Sequence, residues 1–167
     1  MIGTSQLVIN PLNNSHDRAG FACGIEALDN YLKKQANQDV KRRVSKVFVA
    51  TNANNPTCIL GYYTLSSLAI EAPSLPSLLA KKLPKHPIPA ALLGRLAVST
   101  HMQSRGIGSM LLADAVKRTL AASEHIAIYA LIVDAINQQA QQFYESFGFT
   151  SLTAENNRLF LPLKSIS

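Results

Sequence analysis

Residues 126–133 read Ile-Ala-Ile-Tyr-Ala-Leu-Ile-Val, eight positions with no charge, glycine or proline among them. A strand with one solvated face alternates polar with apolar. An unbroken apolar run suits a strand covered on both faces, the usual state of a parallel strand between layers of helix. The run is also far short of the roughly 20 residues that carry a helix across a bilayer. It therefore requires helices nearby to cover it, and the flanking sequence predicts one on each side.

Upstream, residues 91–98 (Ala-Leu-Leu-Gly-Arg-Leu-Ala-Val) predict a strand, followed by the turn Gln103-Ser-Arg-Gly-Ile-Gly108 and a helix to about residue 122. Downstream, a helix over about 137–146 precedes two short strands, 149–152 and 158–161. Nearer the N-terminus, Ile25, Leu28, Leu32, Ala36 and Val40 recur at the three-or-four spacing of a buried stripe, so a helix is expected over about 24–40. Two β-rich runs, 46–51 and 58–65, flank an Asn/Pro-rich turn and predict an antiparallel hairpin. Residues 73–89 hold five of the eight prolines and read as a long connection rather than sheet, with a short helix near 77–82. The prediction is one α/β domain over 1–167, a mixed sheet with a βαβ unit at its middle.

The chain has 167 residues, 47% hydrophobic and 16% charged, a composition that favours a packed core over disorder. Two cysteines, Cys23 and Cys58, are too few for a disulfide scaffold or a Cys-rich zinc site. The first residues, Met-Ile-Gly-Thr-Ser, lack the basic start of a secretory signal, so a cytoplasmic protein without a membrane segment is expected. The net charge is +6 and unevenly placed. Positions 1–100 carry eleven Lys/Arg against five Asp/Glu, and the remainder carries five of each. One cluster is Lys33, Lys34, Lys41, Arg42, Arg43 and Lys46, with Asp39 the only acid among them. The other is Lys81, Lys82, Lys85, Arg95 and Arg105, inside an interval (72–113) that holds no acid at all. Two such clusters point to a phosphate or nucleic-acid surface, with a merely solvated face as the alternative.

The turn at 103–108 follows a strand and opens a helix, whose first amides lack internal partners and carry the positive end of the dipole. Such a terminus favours phosphate oxygens, to which Arg105 and Ser109 add a charge and a hydroxyl. The turn has neither the Lys-Ser/Thr of a P-loop nor the three glycines of a dinucleotide fingerprint. Leu96-Ala-Val98 followed by Gln103-x-x-Gly106-x-Gly108 resembles the acetyl-CoA motif of the GNAT N-acetyltransferases. Asn137-x-x-Ala140-x-x-Phe143-Tyr144-x-x-x-Gly148-Phe149 resembles the second motif of that superfamily. A narrower resemblance covers almost the whole chain. Phe21-x-x-Gly24, Leu28-Asp-Asn-Tyr-Leu32, Gly61-Tyr-Tyr-Thr-Leu65 and residues 87–98 are similar to the toxins of bacterial toxin–antitoxin pairs that acetylate aminoacyl-tRNA. Ser99 stands where Asp is frequent in that group, and Ser104 where Gly is; neither change removes a backbone amide.

The resemblance implies a GNAT fold, a mixed and mostly antiparallel sheet with a βαβ cofactor-binding core flanked by helices. It implies acetyl-CoA as cosubstrate and no metal. Pantetheine would pair with the backbone of Leu96, Ala97 and Val98, diphosphate would rest on the amides of Gly106, Ile107, Gly108 and Ser109, and Gln103, Arg105 and Asn137 would complete the cofactor site. Tyr144 matches the general acid, and a phenol with an unperturbed pKa near ~10 is protonated at neutral pH. Implied partners are aminoacyl-tRNA and an antitoxin of ribbon–helix–helix type; a homodimer, common in the group, is left open.

The residues add an argument of their own. The acid-free interval leaves the central strand without a carboxylate base. Lysine (pKa ~10.4) would need such help to lose a proton, whereas an α-amine (~7.7–8.0, lower beside an ester) is already partly neutral. The site therefore suits an α-amine, with a water-relayed base from another element as the alternative. Arg95 leads the residues expected on RNA, followed by Lys33, Lys34, Arg42 and Lys85. Two competing readings are a GNAT enzyme acting on a small amine or a protein N-terminus, and a basic module without catalysis. His16, His86, His101 and His125 are scattered without metal-ligand spacing and are expected on the surface or in loops.

Overall fold

Four residues of the apolar run form the heart of a strand. β5 (Ala130–Asp134) has Ala130, Leu131, Ile132 and Val133 fully buried. It runs parallel to β4 (Ile88–Val98), with Ala90 opposite Ala130, Ala91 opposite Leu131, Leu92 opposite Ile132 and Leu93 opposite Val133. The connection between the two strands contains α4 (Ile107–Ala122), so the predicted βαβ unit is present. The first half of the apolar run is not strand. After α4 the chain continues in turns, with Ile126 N–H donating to Ala122 O at 3.1 Å, and Ile126 is 67% exposed.

The structure, a computed structural model, describes residues 6–71, 76–83, 87–152 and 157–166. The other elements are β1 (Leu7–Pro11), α1 (Glu26–Asn30), a π-helical turn (Tyr31–Gln35), α2 (Ala36–Lys41), β2 (Lys46–Asn52), β3 (Gly61–Ile70), α3 (Ser77–Lys82), α5 (Gln138–Ser146), β6 (Thr150–Ser151) and β7 (Arg158–Pro162). The strand order is β1-β2-β3-β4-β5-β7-β6. β1–β2, β2–β3, β5–β7 and β6–β7 are antiparallel, so the expected mixed and mostly antiparallel sheet is observed.

Internal contacts divide the chain into two compact units. The first comprises Met1–Ser66 and Gly94–Ala115. Its core gathers Phe21, Tyr31, Leu32, Ala36, Val47, Val49, Ile59 and Tyr62. Tyr62 is fully enclosed, with Phe21 edge-on at 5.6 Å and Tyr31 stacked at 6.4 Å, and its hydroxyl donates to Leu28 O at 2.6 Å. That bond satisfies a polar atom that would otherwise be costly to bury. The predicted first helix is broken into two α segments by the π turn, which holds one extra residue and buries the adjacent Tyr31 and Leu32 together. Ile25, expected in the stripe, lies before the helix and is 40% exposed. β1 is an addition to the expected elements. It is a half-exposed strand ending in a proline, which gives a weak periodic signal. His16 lies in a loop, as expected, and is buried there, its Nδ1 accepting from Asn13 N–H at 3.0 Å.

The second unit comprises Ser67–Leu93 and Val116–Ser167. Ile70, Ile88, Ala90, Ala130, Ile132, Leu152 and Phe160 form its core, with Leu79 and Leu83 packed against them. The short helix expected near 77–82 is present as α3. The proline-rich stretch differs from expectation at its end, because Pro89 lies within β4. Proline lacks a donor but keeps its carbonyl, which accepts from Tyr129 N–H at 2.8 Å. Among the described residues, no helix is long and apolar enough to cross a membrane, and no three His, Cys, Asp or Glu side chains gather as a metal site would require.

Candidate active site

In the first unit, β4 ends at Val98 and the chain is pinned as it leaves. Ser99 N–H donates to Leu60 O at 2.8 Å and Thr100 N–H to Ala22 O at 2.9 Å. The Gln103 carboxamide nitrogen then donates to Val98 O at 3.0 Å and Cys23 O at 2.9 Å. Gln103 is among the residues expected to bind cofactor; its NH2 group is spent on protein carbonyls, so what it contributes is the shape of the turn. Cys23 is fixed in turn, its N–H donating to Asp29 Oδ1 at 2.8 Å.

The turn itself carries two left-handed residues, Ser104 (φ 64°) and Gly106 (φ 85°). A Cβ on Gly106 would meet no atom within 4 Å, so glycine is required there for its backbone conformation and not for close packing. The first helical bond of α4 is from Met110 N–H to Gly106 O at 3.1 Å, which places the amides of Ile107, Gly108 and Ser109 ahead of the intrahelical ladder. Ile107 is buried and anchors the helix, while Arg105 is exposed. Ala97 is buried between half-buried Leu96 and Val98. A Cβ on Gly61 would stand 2.8 Å from Ala97 O and 2.9 Å from Leu111 Cδ1, a close approach that the sequence did not announce.

The same unit holds four of the five residues expected on RNA. Lys33, Lys34 and Arg42 are exposed, on the π turn and at the end of α2. Arg95 is half-buried, its guanidinium carbon 3.5 Å from the centroid of the Tyr31 ring. Lys85 lies outside the described residues, as does His86. Asp39, the lone acid of the first basic cluster, accepts from Gln35 Nε2 at 3.0 Å and Tyr31 Oη at 2.8 Å. These bonds hold its carboxyl below the usual range. The cluster therefore keeps its cations exposed while its one anion is engaged by neighbours. Tyr31, Gln35 and Asp39 are functional candidates that sequence reasoning missed; the isolated acid in a basic run was the available signal.

In the second unit, Asn137 caps α5, its Oδ1 accepting from Ala140 N–H at 2.8 Å. Tyr144 lies two turns along, 7% exposed, with Phe143 edge-on at 5.3 Å and Phe149 tilted at 5.7 Å. Burial pushes its phenol up to about 12, and the Asp134 charge adds to the shift. Gly148, at φ 100°, supports the chain reversal after α5. Arg158 donates to both Asp134 oxygens, at 2.7 and 2.9 Å.

Comparison with known proteins gives the family. The model of the acetyltransferase (GNAT) domain family matches residues 43–151. The chain is 32% identical to a tRNA-acetylating toxin of Mycobacterium tuberculosis, over 92% of this chain and 90% of that protein. It is 31% identical to the probable toxin TacT of Sinorhizobium fredii, over 98% and 95%. Among solved structures it resembles a mutant of KacT (TM-score 0.90, 36% identity, 96% and 97% covered). It also resembles AtaT complexed with acetyl-methionyl-tRNAfMet (TM-score 0.88, 35% identity, 96% of each chain). The chain belongs to the GNAT acetyltransferase family.

Proposed function

We propose that this protein transfers the acetyl group of acetyl-CoA to the α-amine of aminoacyl-tRNA, blocks translation by doing so, and is neutralised by a cognate antitoxin. The observation that carries this reading is the likeness, over nearly the whole chain, to a toxin solved with acetyl-methionyl-tRNA. Related structures include AtaT with the antitoxin AtaR and acetyl-CoA, and a KacTA–DNA complex. A ribbon–helix–helix antitoxin and a homodimer are part of the proposal.

Acetyl-CoA brings the activated acyl group as a thioester. The backbone of Leu96, Ala97 and Val98 pairs with its pantetheine arm, and Val98 N–H polarises the thioester carbonyl. The amides of Gly106 to Ser109 take the diphosphate, helped by Arg105, on a helix end that favours anions. Asn137 sets the start of α5 and Tyr144 donates its phenolic proton to the departing sulfur. As the amine nitrogen bonds to the acyl carbon, the carbon–sulfur bond breaks, the surplus amine proton leaves to solvent, and solvent returns a proton to Tyr144.

Four of the aspartates are already engaged, and the central strand itself carries no acid, which supports an α-amine substrate. Asp29, Asp39, Asp114 and Asp134 each accept a hydrogen bond from a protein donor. An amine already partly neutral near pH ~8 has the least need of a base. The test is incubation with labelled acetyl-CoA and either charged or deacylated tRNA. Label is expected in the charged pool only, and its absence there overturns the substrate assignment.

A further inference from the structure

Arg95 sits half-buried on β4 three residues before its end, and among the described residues no hydrogen bond or ion pair from its guanidinium is present. The flat group lies instead on the Tyr31 ring at 3.5 Å. Stacking occupies the face of a guanidinium and leaves its N–H donors free to meet an acceptor in its own plane, the geometry that suits a phosphate. Tyr31 is itself fastened. Its hydroxyl donates to Asp39 Oδ2, and Gln35 Nε2 holds the other oxygen of that carboxylate.

The π turn makes this arrangement available. Tyr31 and Asp39 are eight residues apart, whereas two α-helical turns span about seven. The extra residue of the π turn brings the pair onto one face. Such turns are frequent at functional sites, and here it serves a cation that has no acceptor among the described residues.

We propose that Tyr31, fastened by Asp39, is a positioning residue for Arg95, holding its guanidinium so that the N–H edge meets a backbone phosphate of the aminoacyl-tRNA. This rests on the function proposed above. Tyr31 touches neither the RNA nor the reacting atoms, and it lowers the cost of ordering a long flexible side chain.

The experiment measures steady-state acetylation of charged tRNA by the full chain across a range of salt. Wild-type protein that leaves charged tRNA unmodified overturns the substrate assignment. With wild type active, Tyr31→Leu is expected to raise KM for charged tRNA about tenfold, with kcat and acetyl-CoA affinity unchanged, and to lower the salt slope of log KM by about one. Tyr31→Phe keeps the ring but loses its bond to Asp39, and is expected to raise KM by about threefold, between wild type and Tyr31→Leu. Arg95→Lys, which leaves the core residue in place, is expected to match Tyr31→Leu, and adding Arg95→Ala to Tyr31→Leu is expected to cost little more. A lower melting temperature with unchanged KM and salt slope in Tyr31→Leu, or additive losses in the double variant, overturns the positioning role and leaves the substrate assignment standing.

Discussion

The Tyr63 hydroxyl donates to Asp114 Oδ2 at 2.5 Å, joining β3 to the first half of α4. Tyr63 is fully buried, and its ring also stacks on Phe48 at 5.1 Å. A hydrogen bond to a carboxylate is worth more than one between neutral groups. Tyr63→Phe is expected to cost about 1.5 kcal/mol, read as a loss of about 3–6 °C in melting temperature, with acetyl transfer retained.

Tyr144→Phe removes the proposed acid while keeping the ring packed against Phe143 and Phe149. Acetyl-CoA affinity by calorimetry is expected to be unchanged, and kcat to fall by about 10²-fold or more. Turnover at the wild-type rate would remove Tyr144 from the mechanism.

With its pKa pushed up to about 12, Tyr144 stays protonated across the working range. The rate is expected to rise with pH as the substrate amine loses its proton and to show no alkaline fall by about pH 9.5. Initial rates on charged tRNA, corrected for ester hydrolysis, check this.

His16 gives a pH dependence of stability with the opposite limb. Burial lowers its pKa from 6.5, so the unfolded chain takes up a proton before the folded one does. Its contribution is complete above pH 6.5 and is lost as pH falls through the lower folded value. Melting temperatures of wild type and His16→Gln are expected to diverge less at about pH 5.5 than at about pH 7.5.

Two glycines separate steric from conformational need. Gly61→Ala would force a Cβ to 2.8 Å from Ala97 O and 2.9 Å from Leu111 Cδ1, and is expected to destabilise by about 1–3 kcal/mol. Gly106→Ala meets no atom within 4 Å, so its cost, about 1 kcal/mol, comes from φ 85° alone. Chemical denaturation of both variants distinguishes the two.

The βαβ core and the glycine turn were legible because their signals are local: an apolar run, a strand before the turn, a helix after it. β1 was not, because a half-exposed five-residue strand becomes visible only through its partner β2. Residues 126–129 matched the strand by composition, yet Ile126 is exposed as the chain leaves α4. At the site, Gln103 was named from its motif, but its action through two carbonyls depends on Cys23, eighty positions away. The Tyr31–Asp39 bond was hidden for another reason, since regular helical spacing pairs positions about seven apart and this pair is eight apart across a π turn.

That turn gives the first helix a one-sided tolerance of length that composition would not register. Removing one residue between Tyr31 and Asp39 would leave a regular helix with the pair seven apart and still on one face, whereas adding one would turn Asp39 and all that follows by about 100°. Homologues whose helix is one residue shorter would then keep a fastened ring beneath Arg95, and an insertion there would unfasten it while also turning Ala36 and Val40 out of the core.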